Sequence, residues 1–149
     1  MKPYPHKCPK CRETTFAPAN VSRVVTYRYD GKDHMFDIDD LPVLKCGRCQ
    51  YEADTNDTED RILSVMRSHL DLLSPSEIAE NRERLQLTQR ELARRIGTSE
   101  ESICRWERGL VVQSRAMNKL LQVFFFIGAA RNSLQADAFR RPVGAGAEG

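Results

Sequence analysis

Four thiols carry the first chemistry that this sequence offers. Cys8-Pro9-Lys10-Cys11 and Cys46-Gly47-Arg48-Cys49 are two CxxC pairs with 34 residues between them. Two thiolates three positions apart on a tight turn both reach one ion at about 2.3 Å, and a second such turn completes a tetrahedron. A four-thiolate shell has no open coordination position, so the expected ion is one structural zinc per chain and not a catalytic centre. Pro9 and Gly47 suit these turns, the first by fixing φ and the second by permitting an unusual one. Two other chemistries use the same residues: a thioredoxin-like redox pair, which opens a helix after a strand, and two structural disulfides, which need an oxidising compartment. No cluster of acid, base and nucleophile accompanies the cysteines, which argues against an enzyme. His6 reads as solvent-exposed, and His34 and His69 lack ligand-like spacing.

A second constellation lies in LSPSEIAENRERLQLTQRELARRIGTSEESICRWERG, residues 73–109. Ser74 or Ser76 can cap a helix that has Pro75 in its first turn. Thr88, with Glu91 three positions later, forms a capping box for a second helix that buries Leu92, Ala93 and Ile96. Gly97 ends it as a left-handed cap. Ser99 caps a third helix through Arg108, with Ile103 and Trp106 inside, and Gly109 stops it. Helix, glycine turn and helix is the arrangement that lays its second helix in the DNA major groove. Ser99, Glu100, Glu101, Ser102 and Arg105 would then face the bases, Arg105 bidentate to guanine and the glutamates accepting from cytosine amines. Gln89, Arg90, Arg94, Arg108 and Arg115 are candidates for phosphate contacts. A helical bundle without a ligand, with these arginines as ordinary surface charges, fits the same pattern.

Ser114 can cap a further helix to about residue 127. Met117, Leu120, Leu121 and Phe124 form its core stripe, which leaves Val123, Phe125, Phe126 and Ile127 outside. Those four are assigned to a two-fold homodimer interface; a larger monomeric core is the alternative. Such a dimer would space two recognition helices about 34 Å apart and call for a pseudo-palindromic operator. Cys104 has no partner and reads as a small half-buried residue.

These groups must be held in place by the rest of the chain. Residues 1–56 look β-rich. The run VSRVVTYRY at 21–29, then Asp30-Gly31, then residues 34–38 predict a hairpin, which accounts for the long spacer between the cysteine pairs. Residues 57–73 predict a connecting helix capped by Asp57 or Thr58. Residues 74–128 form the all-α helix-turn-helix domain of four to five helices. Residues 129–149 predict a disordered tail, with a marginal helix at 129–140. The fold class is therefore α+β, a small β-rich zinc module followed by a helical domain.

Composition sets the limits. The chain has 149 residues, 40% hydrophobic and 30% charged, which suits a globular protein. It lacks an apolar run long enough for a membrane span, and its start lacks the apolar core of a secretory signal, so a cytoplasmic protein is expected. A net charge of +2 is too small to imply nucleic-acid binding by itself. Residues 74–128 carry nine basic against seven acidic side chains, again a net of +2, and all but one of the basic ones are arginine.

The wording LTQRELARRIGTSEESICRWERG resembles the Xre (lambda-repressor-like) helix-turn-helix family. That resemblance implies a phosphate contact from Gln89, base contacts from Glu100, Glu101 and Arg105, and a structural pair of Arg82 with Glu107. Two CxxC pairs, a connecting helix and then SPSEI…LTQ…RWERG…QS…MNKLL resemble the YgiT-type zinc-finger family, the MqsA-like antitoxins, over residues 8–127. The resemblance implies zinc on the N-terminal cysteines, a protein toxin engaged through that module, dimerisation through the C-terminal one, and repression of the chain's own operon. A stand-alone zinc-containing regulator with no toxin is the alternative. Glu101 stands where that family has a base-reading asparagine, and Arg12 where many members have glycine.

Overall fold

Asp30 and Gly31 both take positive φ, 54° and 77°. That is the type I′ geometry whose twist matches paired strands, and it closes a far longer hairpin than the alternation alone suggests. Strands β1 (His6–Lys7), β2 (Thr14–Tyr29), β3 (Lys32–Cys46) and β4 (Glu52–Ala53) form one antiparallel sheet in the order β1-β2-β3-β4. The β2–β3 register runs from Tyr29↔Lys32 to Phe16↔Cys46, with a bulge between Val21 and Arg23. This computed structural model describes residues 3–138, and for residues 131–138 the backbone alone.

Period-two alternation gives the sheet one buried face, with Phe36, Ile38, Leu41 and Val43 of β3 all nearly inaccessible. Helix α1 (Asn56–His69) packs against β3 and buries Met66 completely. Phe36 meets His69 edge-on with ring centroids 4.8 Å apart. Thr55 caps the helix, not Asp57 or Thr58; Thr58 closes the capping box and also donates its hydroxyl to the Pro42 carbonyl. The helix expected as a connector thus packs on the hairpin, and the first compact unit runs from Met1 to Leu72.

The second unit, Leu73–Gly149, holds α2 (Pro75–Arg84), α3 (Gln89–Ile96), α4 (Glu100–Glu107) and α5 (Arg115–Ala138). Ser74, Thr88 and Ser99 cap the first three, each accepting from the backbone N–H three residues on. Gly97, at φ 76°, ends α3 in the left-handed conformation that a side chain would strain. Ile78, Leu92, Ala93, Ile96, Ile103, Trp106, Leu121 and Phe125 make the core.

Two expectations about α5 need correction. Phe125, assigned to the dimer interface, is 4% exposed and lies in the core, whereas Leu120, assigned to the core, is 41% exposed. Leu121 and Phe125 are four positions apart and stack on one helix face; Leu120 belongs to the other. The helix also continues past Gly128 to Ala138, so the end expected near residue 127 is overturned, while the marginal helix expected at 129–140 is present over residues 129–138 as part of α5. Gly128 suits a close approach: a Cβ there would lie 2.7 Å from a Leu85 methyl. The rest of that expected tail, residues 139–149, lies outside the described residues.

Candidate functional site

The hairpin ends deliver the cysteines. Each CxxC sits on a turn with the same hydrogen bonds: Cys8 N–H to Glu13 O and Arg12 N–H to Cys8 O on one, Cys46 N–H to Tyr51 O and Gln50 N–H to Cys46 O on the other, at 2.8 to 3.1 Å. Arg12 and Gln50 occupy equivalent left-handed positions, φ 64° and 59°. Gly47 does not, contrary to its expected role; its N–H donates to the Thr15 carbonyl at 3.1 Å, and a side chain there would make only ordinary contact with Thr15. Arginine in the left-handed region costs roughly 1 kcal/mol, a cost that glycine avoids. The two turns are therefore copies built from different sequences.

Their four sulfurs lie within 4.8 Å of one another, with Cys8–Cys49 and Cys11–Cys46 each at 3.6 Å. A tetrahedron with metal–sulfur bonds of about 2.3 Å has sulfur–sulfur edges of roughly 3.8 Å, so the cluster fits one ion. The cysteines are free thiols and not disulfides. Cys8, Phe16 and Cys46 are buried together, with Leu44 and Ala53 against them, while Cys11 and Cys49 are half-buried. Cys46 is lowered to about 6 by the Cys49 backbone N–H and by the Thr15 hydroxyl, 3.2 Å from its Sγ. Cys11 is drawn down by the Glu13 backbone but pushed up further by burial and by its three thiol neighbours, to about 12. One sulfur is thus prepared as thiolate while its neighbour holds a proton, and an arriving dication would displace that proton. Thr15 had no signal in the sequence.

In the helical unit, Arg82 donates through Nε to Glu107 Oε1 at 2.6 Å and through a terminal nitrogen to Oε2 at 3.1 Å. Gln89 donates to the same Oε2 at 2.7 Å, and Arg82 also reaches the Leu87 carbonyl at 2.8 Å. The Arg82 and Glu107 side chains are only 13% and 7% exposed, so this knot ties α2, α3 and α4 in a partly dry setting. Ser99 accepts from the Ser102 N–H, and their hydroxyls meet at 2.8 Å. Arg90 and Glu100 pair across the α3–α4 turn at 3.1 Å. Glu101 and Arg105 are exposed on α4, with no side-chain hydrogen bond or ion pair among the described residues. Arg94 and Arg108 are exposed and Arg115 is half-buried. Val123, Phe126 and Ile127 are 54%, 76% and 58% exposed, and Leu120 joins them in Phe125's stead.

A second feature was missed in the sequence. Asn118, buried on α5, accepts from the Leu73 N–H at 2.9 Å and from Gln113 at 3.0 Å, while Gln113 donates to the Leu73 carbonyl at 2.9 Å. Asn118 precedes Leu121 by three positions and Phe125 by seven, so a polar residue on the buried face was the available signal.

No helix among the described residues is long and apolar enough to cross a membrane. A family model described as the antitoxin component of a bacterial toxin-antitoxin system, MqsA, matches residues 6–125. No curated protein matches the chain.

Proposed function

The chain belongs to the MqsA antitoxin family, and from that premise we propose that it is a homodimeric, zinc-containing repressor that binds its own operator and masks a protein toxin. In this reading the first unit is the toxin-binding arm and the second is the DNA reader. The observation that carries the DNA half is the exposed front of α4, where Glu101 and Arg105 have no internal side-chain partner among the described residues. Arg105 donates to the O6 and N7 of guanine, worth about 1–3 kcal/mol of discrimination, and Glu101 accepts from a cytosine amine. Glu100 is engaged by Arg90, which offsets one of two adjacent carboxylates at a phosphate-lined groove. The helix-terminal N–H groups, Arg94 and Arg108 hold register on phosphates, with Gln89 and Arg90 alongside.

Zinc is the ion that four thiolates select, and its role is to hold the hairpin ends together. Leu120, Val123, Phe126 and Ile127 form the dimer surface, and two-fold symmetry matches a pseudo-palindromic operator. The protein acts without catalysis, in the cytoplasm where its DNA lies. The test is a footprint on the DNA just upstream of the chain's own gene, repeated with Arg105→Ala. A protected, two-fold symmetric site whose sequence preference is lost in the variant is the expected result. An unprotected upstream region, or a preference unchanged by the substitution, refutes the reading.

A further inference from the structure

The β2 strand changes character at Arg23, opposite the place where β3 inserts an extra residue at Asp39-Asp40. Up to that point it carries Pro18 and Arg23, whose guanidinium is drawn to Glu52 and Asp54. Proline, bulges and committed charges are devices that stop a strand edge from pairing. Beyond it, residues 24–29 read VVTYRY, with none of these devices and high strand propensity. No described strand covers their outer side, because β1 reaches only Thr14 and Phe16.

The turn fixes which backbone groups are open. Counting back from Tyr29↔Lys32, the pairs Tyr27↔His34 and Val25↔Phe36 are the ones that exchange hydrogen bonds. The N–H and C=O groups of Val24, Thr26 and Arg28 therefore point away from β3. Their side chains share the sheet face opposite Phe36 and Ile38, and that face is solvent-exposed: Val24 is 56% and Met35 68% accessible. Asp33, Asp37 and Asp39 line it, and among the described residues only Asp33 has an ion pair, with Arg28 at 3.6 Å. Beside the bulge, Ser22, Arg23, Val24, Asp37, Ile38 and Asp39 line an open groove of about 380 Å³. An apolar pair framed by uncommitted carboxylates repels phosphate and suits a cationic peptide.

We propose that residues 24–29 are a strand-addition site, at which an extended basic segment of the protein partner pairs with Val24, Thr26 and Arg28 and sets its cations against Asp37 and Asp39. This rests on the reading of the first unit as a protein-binding arm. A second copy of this chain is the poorer occupant, because edge-to-edge pairing would bring two acidic faces together.

The experiment is calorimetric titration of the full-length, metal-loaded chain with the purified product of the reading frame beside its gene. Thr26→Pro deletes one outward N–H while keeping every β2–β3 bond, and proline is tolerated at such an edge position. Its binding is expected to weaken by about tenfold to a hundredfold, with metal content and operator binding unchanged. A chain carrying Asp37→Lys and Asp39→Lys should weaken similarly and lose the salt dependence of binding; this variant decides the matter if Thr26→Pro releases metal. Wild-type affinity in the charge-reversed chain, or in a metal-loaded Thr26→Pro chain, overturns the site and spares the arm. No binding by the wild-type chain removes both. Self-association of the wild type that Thr26→Pro abolishes assigns the edge to a second copy instead and overturns the proposal.

Discussion

At its cysteine end the hairpin unit gathers only Cys8, Phe16 and Cys46, with Leu44 and Ala53 against them, while its apolar layer of Phe36, Ile38, Leu41, Val43 and Met66 lies between β3 and α1. Among the described residues, the helical unit buries eight hydrophobic side chains in one cluster and packs Leu73, Leu85, Leu87, Val111, Met117 and Phe124 around it. The four-thiol end of the first unit is arranged so that an ion would hold it, whereas the second unit depends on side-chain volume throughout. Burying a large aliphatic side chain contributes about 1.5–3 kcal/mol, whereas a structural zinc site contributes on the order of 10–16 kcal/mol. The two halves of one chain should therefore fail under different insults.

The largest separation is expected from the metal. Cys46→Ser, or a strong chelator, should remove on the order of 10 kcal/mol from the hairpin unit and expose residues 1–56 to protease, while the helical circular-dichroism signal of α2–α5 persists. Joint loss of both units would erase the contrast. The mirror experiment is Leu121→Ala, a cavity in the helical core, which should cost about 3–4 kcal/mol on the melting transition of that unit and leave metal content as it was. Metal lost from that variant would mean that the units are not energetically separate.

Glu107→Ala tests whether the polar knot matters as much as the oil around it. It leaves the Arg82 guanidinium buried without its carboxylate, at a cost of about 3 kcal/mol by chemical denaturation. A cost below about 0.5 kcal/mol would class the pair with surface ion pairs. Thr88→Ala, at the cap of α3, should cost only about 1 kcal/mol. The same box carries a pH signature. The Thr88 backbone N–H and hydroxyl hold the Glu91 carboxyl below its ordinary 4.5. Its contribution is complete above that value and disappears as pH falls through the lower folded one. The melting difference between wild type and Glu91→Gln should accordingly close on acidification below 4.5, and a difference that widened would reverse the assignment.

What the sequence made legible follows the same division. Asp30-Gly31, Thr88 with Glu91, Ser99 and Gly97 are local rules, in which one residue type answers one backbone demand, and each sits where that demand arises. The cysteines were legible from spacing alone. The run VFFFI was not, because a helix apolar on every side has no period to read; Phe125 and Leu120 exchanged places for that reason. Gly128 looked like a stop because the side chain it accommodates, Leu85, is far away in sequence. Arg12 and Gln50 hid the second symmetry of the cysteine turns, since neither residue type advertises a left-handed backbone.

The ladder from Tyr29↔Lys32 to Phe16↔Cys46, interrupted at one bulge, also bears on how the cysteines would come together. If a two-residue turn forms first and pairing zips away from it, Cys11 and Cys46 would approach by short closures and not by one diffusive search across 34 residues. Capture of a metal by the four assembled thiols would come last and act as a proofreader. A ladder slipped by one residue turns Cys46 to the opposite side of the sheet, the fourth sulfur goes missing, and the misregistered hairpin cannot be locked.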